Sequence, residues 1–298
     1  MADVLKLRLP ATSANLGPGF DALGLAMDFA LEIEARESDR YTITATGRNA
    51  GQTGNVDDSL VLETYSSVLT GQGIDPVPLH LDLNNGIPLG MGCGSSAAAL
   101  VAGVMLANHF GKLGWSQHQV LTDASLREGH PDNVAACVLG GLTVSSMTPE
   151  GVVDALAIQP QVDWPLLVVM PQSSLSTKKA RAMLPESYSK ADTIANVQRV
   201  AMLTAAFAQG RGDLLARAME DRMHQPYRAA ACPLLPKLLP LAGQDGVLGV
   251  ALSGAGPSVL LILATDQQEA GVTAVAAVLE REGLEAEVFP TRIFPAVV

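Results

Sequence analysis

Gly90, Gly92, Gly94, Ser95 and Ser96 lie together in the stretch GIPLGMGCGSSAAALVAGVML, Gly86 to Leu106, ahead of an unbroken run of small apolar residues. Two nucleotide-loop templates can be tested against it. A G-x-x-x-x-G-K-[ST] loop needs a lysine where this chain has Ser95. A G-x-G-x-x-G fingerprint fails on spacing, because the glycines here read G-x-G-x-G. Glycine lets a backbone approach an anion closely. Ser95 and Ser96 can cap the helix they begin, and the amides of its first turn can hold a phosphate. A hydroxyl there can also serve a hard cation such as Mg²⁺. On this stretch alone, a phosphate cradle and a plain turn before a buried helix both stand open.

Other polar residues offer chemistry of the same open kind. Glu128 ends a segment with helical spacing, Ser116–Gly129, where the helix macrodipole opposes an anion; a bound cation would relieve the conflict. His130, Asp132 and Asn133 follow in GHPDN, and Asp132 is also a good cap for a helix starting near Val134. Asn15 and Asp21 in ANLGPGFD are turn formers.

These residues need elements to position them. Leu5–Leu9, Leu31–Arg36 and Leu79–Leu83 alternate apolar and polar residues as half-buried strands do, and Tyr41–Gly47 is β-branched. Asn84-Asn85-Gly86 signals a turn, and a buried helix follows Gly94. Asn133–Ser146 reads as a short helix, a Gly-Gly stop and a strand. Pro149–Pro165 is the best place for a domain transition, and Leu166–Pro171 is a buried strand. Helical patterns cover Thr177–Met183 and Ala191–Met223, broken at Gly210-Arg211-Gly212. Val247–Leu263 reads as a hairpin around a glycine-rich turn that begins at Ser253 and Gly254. A helix, Gln267–Glu282, and a strand, Ala286–Phe289, complete an α+β pattern.

The chain has 298 residues and a formal net charge of -11, a balance that disfavours nucleic acid and anionic membrane surfaces as partners. Its three cysteines show no C-x-x-C spacing, so no disulfide framework or zinc site is expected. MADVLKLRLP lacks the layout of a signal peptide, and a cytoplasmic location is expected.

PLGMGCGSSAA (Pro88–Ala98) resembles the P-x-x-x-G-L-G-S-S-A-A motif of the GHMP kinases, with Cys93 in place of a leucine. The resemblance extends from PATSANLGPGFDALGLAM (Pro10–Met27) through EGHPDNVAACVLGG (Glu128–Gly141) to LSGAGPSV (Leu252–Val259). STKKARAMLP (Ser176–Pro185) and QPYRAAACPLLP (Gln225–Pro236) resemble substrate segments of family members that act on homoserine.

The resemblance implies a two-domain α+β GHMP kinase fold. Residues 1–155 would form a ribosomal-protein-like ATP-binding domain, and residues 156–298 a ferredoxin-like domain. ATP and Mg²⁺ are the implied cofactors, L-homoserine is the implied small-molecule substrate, and a homodimer is implied. Pro88, Leu89, Gly90, Met91, Gly92, Cys93, Gly94, Ser95, Ser96, Ala97 and Ala98 would wrap the phosphates. Leu60 and Val61 would pack on the base, with Ser59 standing where asparagine is common. Ser96 and Glu128 would hold the metal. Asn15, Asp21, His130, Asn133, Arg181 and Arg228 would contact substrate, joined by Ser253 and Gly254 through backbone N–H groups. Asn133 would position the attacking hydroxyl, and because a neutral amide is no base, catalysis would proceed without a dedicated one. A kinase for another small alcohol, or a non-catalytic ATP-binding module, are the alternatives.

Overall fold

The computed structural model describes residues 3–297. Its first sheet is built on one long hairpin, β1 (Val4–Asn15) and β2 (Gly19–Glu37), which pair antiparallel from Val4 opposite Arg36 to Asn15 opposite Gly19. Alternation predicts only the outer ends of this hairpin. From Leu9 to Asn15 every residue is buried, so both faces are covered and no period of two survives.

β3 (Thr42–Gly47) is followed by the short α1 (Ala50–Thr53) and by α2 (Leu60–Gly71), and β4 (Leu79–Asn85) then enters between β3 and β2. α3 (Ser95–Phe110), α4 (Gln117–Glu128) and α5 (Asp132–Leu139) precede β5 (Leu142–Met147) and β6 (Val153–Ile158). The strand order is β3-β4-β2-β5-β6, with β1 paired to β2 outside that path. α4 starts where the sequence expects it, at a reciprocal capping box between Ser116 and Gln119.

The second sheet holds β7 (Leu166–Pro171), β8 (Val247–Leu252), β9 (Val259–Leu263) and β10 (Ala286–Thr291). Its order is β10-β7-β9-β8 and every pair is antiparallel. Between β7 and β8 come α6 (Thr177–Arg181), α7 (Lys190–Ala208), α8 (Leu215–Ala218), α9 (Gln225–Arg228) and α10 (Leu234–Leu238), and α11 (Gln268–Glu282) joins β9 to β10. This is the ferredoxin-like β-α-β-β-α-β arrangement. β7 shows the reason for two cores: Leu166, Val168 and Met170 face the core shared with the first sheet, while Leu167 and Val169 face a separate core with α10 and α11.

Two expectations are corrected. The helical run Ala191–Met223 stops as a long helix at Ala208, and only short turns and α8 continue beyond the Gly210–Gly212 break. The boundary after residue 155 falls inside β6, whose pairing with β5 runs on to Ile158, so the chain crosses between sheets over 159–165. The end of the chain returns to the first sheet: Phe294 N–H donates to Ala26 O and Gly141 N–H to Phe294 O, both 2.9 Å. Among the described residues no helix is long and apolar enough to cross a membrane.

Candidate active site

The glycine-rich loop is a set of alternating left-handed residues. Gly90, Gly92 and Gly94 have φ of 70°, 73° and 74°. A Cβ on Gly92 would stand 2.2 Å from the Ser253 carbonyl oxygen, and one on Gly94 would stand 1.9 Å from Thr12 Oγ1. Backbone conformation and the close approach of two other segments therefore both demand glycine. One expectation changes here: Gly94 is the N-cap of α3, without a side-chain cap bond, and Ser95 and Ser96 are the helix's first two residues. The first intrahelical bond runs from Ala98 N–H to Gly94 O, 3.0 Å, so the amides of Ser95, Ser96 and Ala97 are left facing out of the helix end. They form an anion site backed by the macrodipole of a 16-residue helix. Cys93, Ala97 and Ala98 bury their side chains in the core, so their share in such a cradle is backbone only. Burial pushes the Cys93 thiol up to about 12, which makes it an apolar filler.

Two cavities meet at Gly90, Ser95 and Ser96. The larger, about 870 Å³, is lined by Leu60, Val61, Asn49, Leu89 and Met91. Ser59 also borders it, but its hydroxyl accepts the Leu62 N–H at 3.3 Å and so caps α2. The smaller, about 250 Å³, lies between the two sheets and collects Asn15, Asp21, His130, Asn133, Arg181 and Arg228.

Ser96 Oγ donates to Glu128 Oε2 at 2.8 Å across 32 positions of sequence, and both side chains border the smaller cavity. Two oxygen donors beside an anion cradle, one of them at a helix C-terminus, fit a hard divalent ion such as Mg²⁺. Asp21, His130 and Asp132 also come within 4.8 Å of one another, yet each already has a partner. Asp132 Oδ1 lies 2.6 Å from His130 Nδ1 and Asp21 is held by Arg181, so this trio is a less suitable ligand set.

Asp132 is the first residue of α5, with Pro131 as N-cap, and does not precede a helix that begins at Val134. Its Oδ1 accepts the Asn133 N–H at 2.7 Å. Burial works against charging His130, but the hydrogen bond and charge of Asp132, with Glu128 nearby, outweigh it and hold the imidazole pKa above its usual value. Asn133 Oδ1 accepts from Thr12 Oγ1 at 2.7 Å, and its Nδ2 lies 3.4 Å from Asp132 Oδ1.

The charged residues are arranged as follows. Arg181 grips Asp21 with two hydrogen bonds, 2.7 and 3.1 Å, so these two satisfy each other. Arg228 is 1 % exposed and forms no ion pair among the described residues. Its Nε donates to Ala180 O and its Nη1 to His224 Nδ1 and Gly254 O, while Nη2 has no partner within the described residues. Burial first, then Arg181, pulls its pKa down, as befits a buried cation short of anions.

Asn15 ties the site together: its Nδ2 donates to Gly254 O at 2.9 Å and its Oδ1 accepts the Asp21 N–H at 3.0 Å. The expectation that Ser253 and Gly254 offer N–H groups to a ligand is corrected. The Ser253 N–H donates to Ser258 O and the Gly254 N–H to Ala14 O. The Ser253 hydroxyl instead holds the glycine loop through Gly92 O, 2.7 Å, and pairs with Ser13 Oγ, 2.9 Å.

Three residues of this site have no signal in the sequence read alone. Phe20 lies under both Arg181 and Arg228, each 5.5 Å from its ring centre. His224 stays neutral: its Nδ1 accepts from an arginine, which has no acceptor atoms, and its Nε2 donates to Gly17 O at 2.8 Å. Asp221 gathers the Met223, His224 and Gln225 N–H groups and so sets the start of α9, which carries Arg228.

Known proteins resemble this chain in sequence and in fold. The sequence profile of the GHMP kinases N terminal domain matches residues 59–141, and that of the GHMP kinases C terminal domain matches residues 203–281. A homoserine kinase of Solibacter usitatus is 47% identical over 86% of this chain and 84% of its own length. One from Moorella thermoacetica is 39% identical over 95% of each chain. Among solved structures, a homoserine kinase from Cytophaga hutchinsonii superposes with a TM-score of 0.83 at 26% identity, over 99% of this chain and 96% of that one. A mevalonate kinase from L. major shares the fold, with a TM-score of 0.75 at 16% identity over 100% of both chains. The chain therefore belongs to the GHMP kinase family, among its homoserine kinases.

Proposed function

We propose that this enzyme transfers the γ-phosphoryl group of ATP to the side-chain hydroxyl of L-homoserine, giving O-phospho-L-homoserine for threonine biosynthesis. The observation that carries the substrate assignment is Arg228, a buried guanidinium without a carboxylate, facing the same cavity as the Asp21–Arg181 pair. A buried charge without a partner is costly. A zwitterionic amino acid relieves that cost: its carboxylate pairs with Arg228 and Arg181, and its ammonium takes Asp21 from Arg181. A neutral sugar would leave Arg228 unpaired, and mevalonate could pair with Arg228 but brings no ammonium to take Asp21 from Arg181.

ATP occupies the larger cavity, with its base against Leu60 and Val61 and its phosphates on the glycine loop and the α3 amides. The γ-phosphate then sits where the cavities meet, at Gly90, Ser95 and Ser96. Ser96 and Glu128 would hold Mg²⁺, which when bound neutralises charge on the triphosphate. The substrate hydroxyl oxygen forms its bond to the γ-phosphorus as the bond to the β–γ bridging oxygen breaks and ADP leaves. Asn133 positions the attacking group, and the hydroxyl proton passes to a γ-phosphoryl oxygen, since the amide cannot take it usefully. His130 and Asp132 brace this wall of the cavity.

The division into two domains is placed at 159–165, and a homodimer in solution is proposed on the family resemblance; a monomeric mass by light scattering would count against it. The function is tested by an ADP-release assay on the purified protein with homoserine, threonine, mevalonate and galactose. Homoserine should be turned over best. Failure of homoserine with Mg-ATP, while another alcohol reacts, would overturn the assignment.

A further inference from the structure

We propose that Thr12 is a positioning residue that fixes the rotation of the Asn133 amide, so that Asn133 presents N–H and not its carbonyl oxygen to the reacting groups. The two ends of an asparagine amide differ only in what they can bond to, and the neighbours decide which end is which. Asp132 Oδ1 lies 3.4 Å from one end of the Asn133 amide and is held by His130 Nδ1 and the Asn133 N–H. A carboxylate so placed only accepts, so the end facing it is the NH₂ group. The carbonyl oxygen is then turned to Thr12, whose hydroxyl donates to it at 2.7 Å. One N–H of Asn133 is directed to Asp132, and the other is free for the cavity that Asn133 lines.

Thr12 is well placed to hold this choice. Its side chain is fully buried, its own N–H donates to Cys93 O at 3.0 Å, and its hydroxyl lies over the bare face of Gly94. The same residue therefore ties the phosphate loop to the Asn133 side chain 121 positions away. A donor at that point can stabilise charge on the oxygens of the transferring group but cannot receive the proton of the attacking hydroxyl. The amide can therefore hold the attacking hydroxyl through the hydroxyl oxygen, and the hydroxyl proton is left to the phosphoryl oxygens.

The inference rests on the kinase reading above. Turnover of homoserine by the unaltered enzyme tests that reading first and independently. Thr12→Val keeps the side chain's size and removes its hydroxyl. It should lower kcat by roughly 10- to 100-fold, as misplacement of a reacting group does, with KM for both substrates within about two-fold of the parent. Thr12→Ser should recover most of the loss. In the Asn133→Ala background Thr12→Val should cost nothing further. A parental kcat in Thr12→Val, equal losses in the valine and serine variants, or losses that multiply in the double variant would overturn the proposal. If Thr12→Val does not fold, as judged by thermal melting, Asn133→Asp reads the same question: replacing the N–H by an acceptor oxygen should lower kcat, and a kcat at or above the parent's would refute it.

Discussion

Arg228 offers the sharpest energetic prediction. A guanidinium has five N–H donors. Three bonds to Ala180 O, His224 Nδ1 and Gly254 O engage Nε and Nη1, leaving Nη2 for a substrate carboxylate. A hydrogen bond to a charged group contributes about 1.5–3 kcal/mol. Losing two such bonds at the lower end of that range costs about 3 kcal/mol, or roughly a 150-fold fall in kcat/KM at 1.36 kcal/mol per factor of ten. Arg228→Met removes the donors while keeping an unbranched apolar stem at this buried position, which limits the cavity left behind. Steady-state kinetics should show the loss on homoserine with the KM for ATP within about two-fold, since Arg228 borders only the smaller cavity. 3-Aminopropan-1-ol, which is homoserine without its carboxylate, closes the cycle. The parent enzyme should use it at least roughly 150-fold less well than homoserine, since the Arg181 contact is lost with the carboxylate too, and Arg228→Met should make it little worse. Equal losses on homoserine and on the aminoalcohol would show that Arg228 supports the fold and not the carboxylate, and would refute the reasoning.

Gly94→Ala should cost about 2–4 kcal/mol in denaturant unfolding, from a left-handed φ and from collision with Thr12, whereas Gly71→Ala, with open space around it, should be neutral or slightly stabilising. All three cysteines are buried and their thiols are raised, to about 12 for Cys93 and Cys137 and about 11 for Cys232. Dithionitrobenzoate at pH 8 should therefore label none in the native protein and all three in denaturant; prompt native labelling would contradict this packing. His130 has a raised pKa when folded, so its contribution to stability is complete below the unfolded value of about 6.5 and is lost as pH rises through the folded value. In EDTA, His130→Gln should be more destabilised relative to the parent at pH 6 than at pH 9, and a difference independent of pH would exclude this assignment. Ser59→Ala should cost about 1 kcal/mol of stability through the lost α2 cap, with little effect on the KM for ATP.

Where the chain meets solvent on one side, its sequence is readable. Leu79–Leu83 alternates and is a strand; Ser116 precedes a helical pattern and caps it. The inner half of the β1–β2 hairpin is not readable this way, because Pro10–Asn15 is buried on both faces and carries no period. The cradle is legible only through family motifs, since its glycines match neither common nucleotide template; the structure adds the reason for Gly92 and Gly94, in Ser253 and Thr12 pressed against their bare faces. Ser253 illustrates the limit. Its motif places it at a substrate turn, yet whether its N–H is free depends on Ser258 across the turn. Thr12 and His224 act on partners 121 and 207 positions away, and no local pattern announces such contacts. The mutual grip of Asp21 and Arg181, 160 positions apart, is likewise a tertiary fact.

The central claim is transfer of phosphate to one hydroxyl, and phosphorus NMR of the complete reaction tests it most directly. With homoserine, ATP and Mg²⁺, the account predicts a phosphomonoester resonance coupled to a methylene group, growing in step with ADP. ADP accompanied only by inorganic phosphate, or no ADP at all, would contradict it.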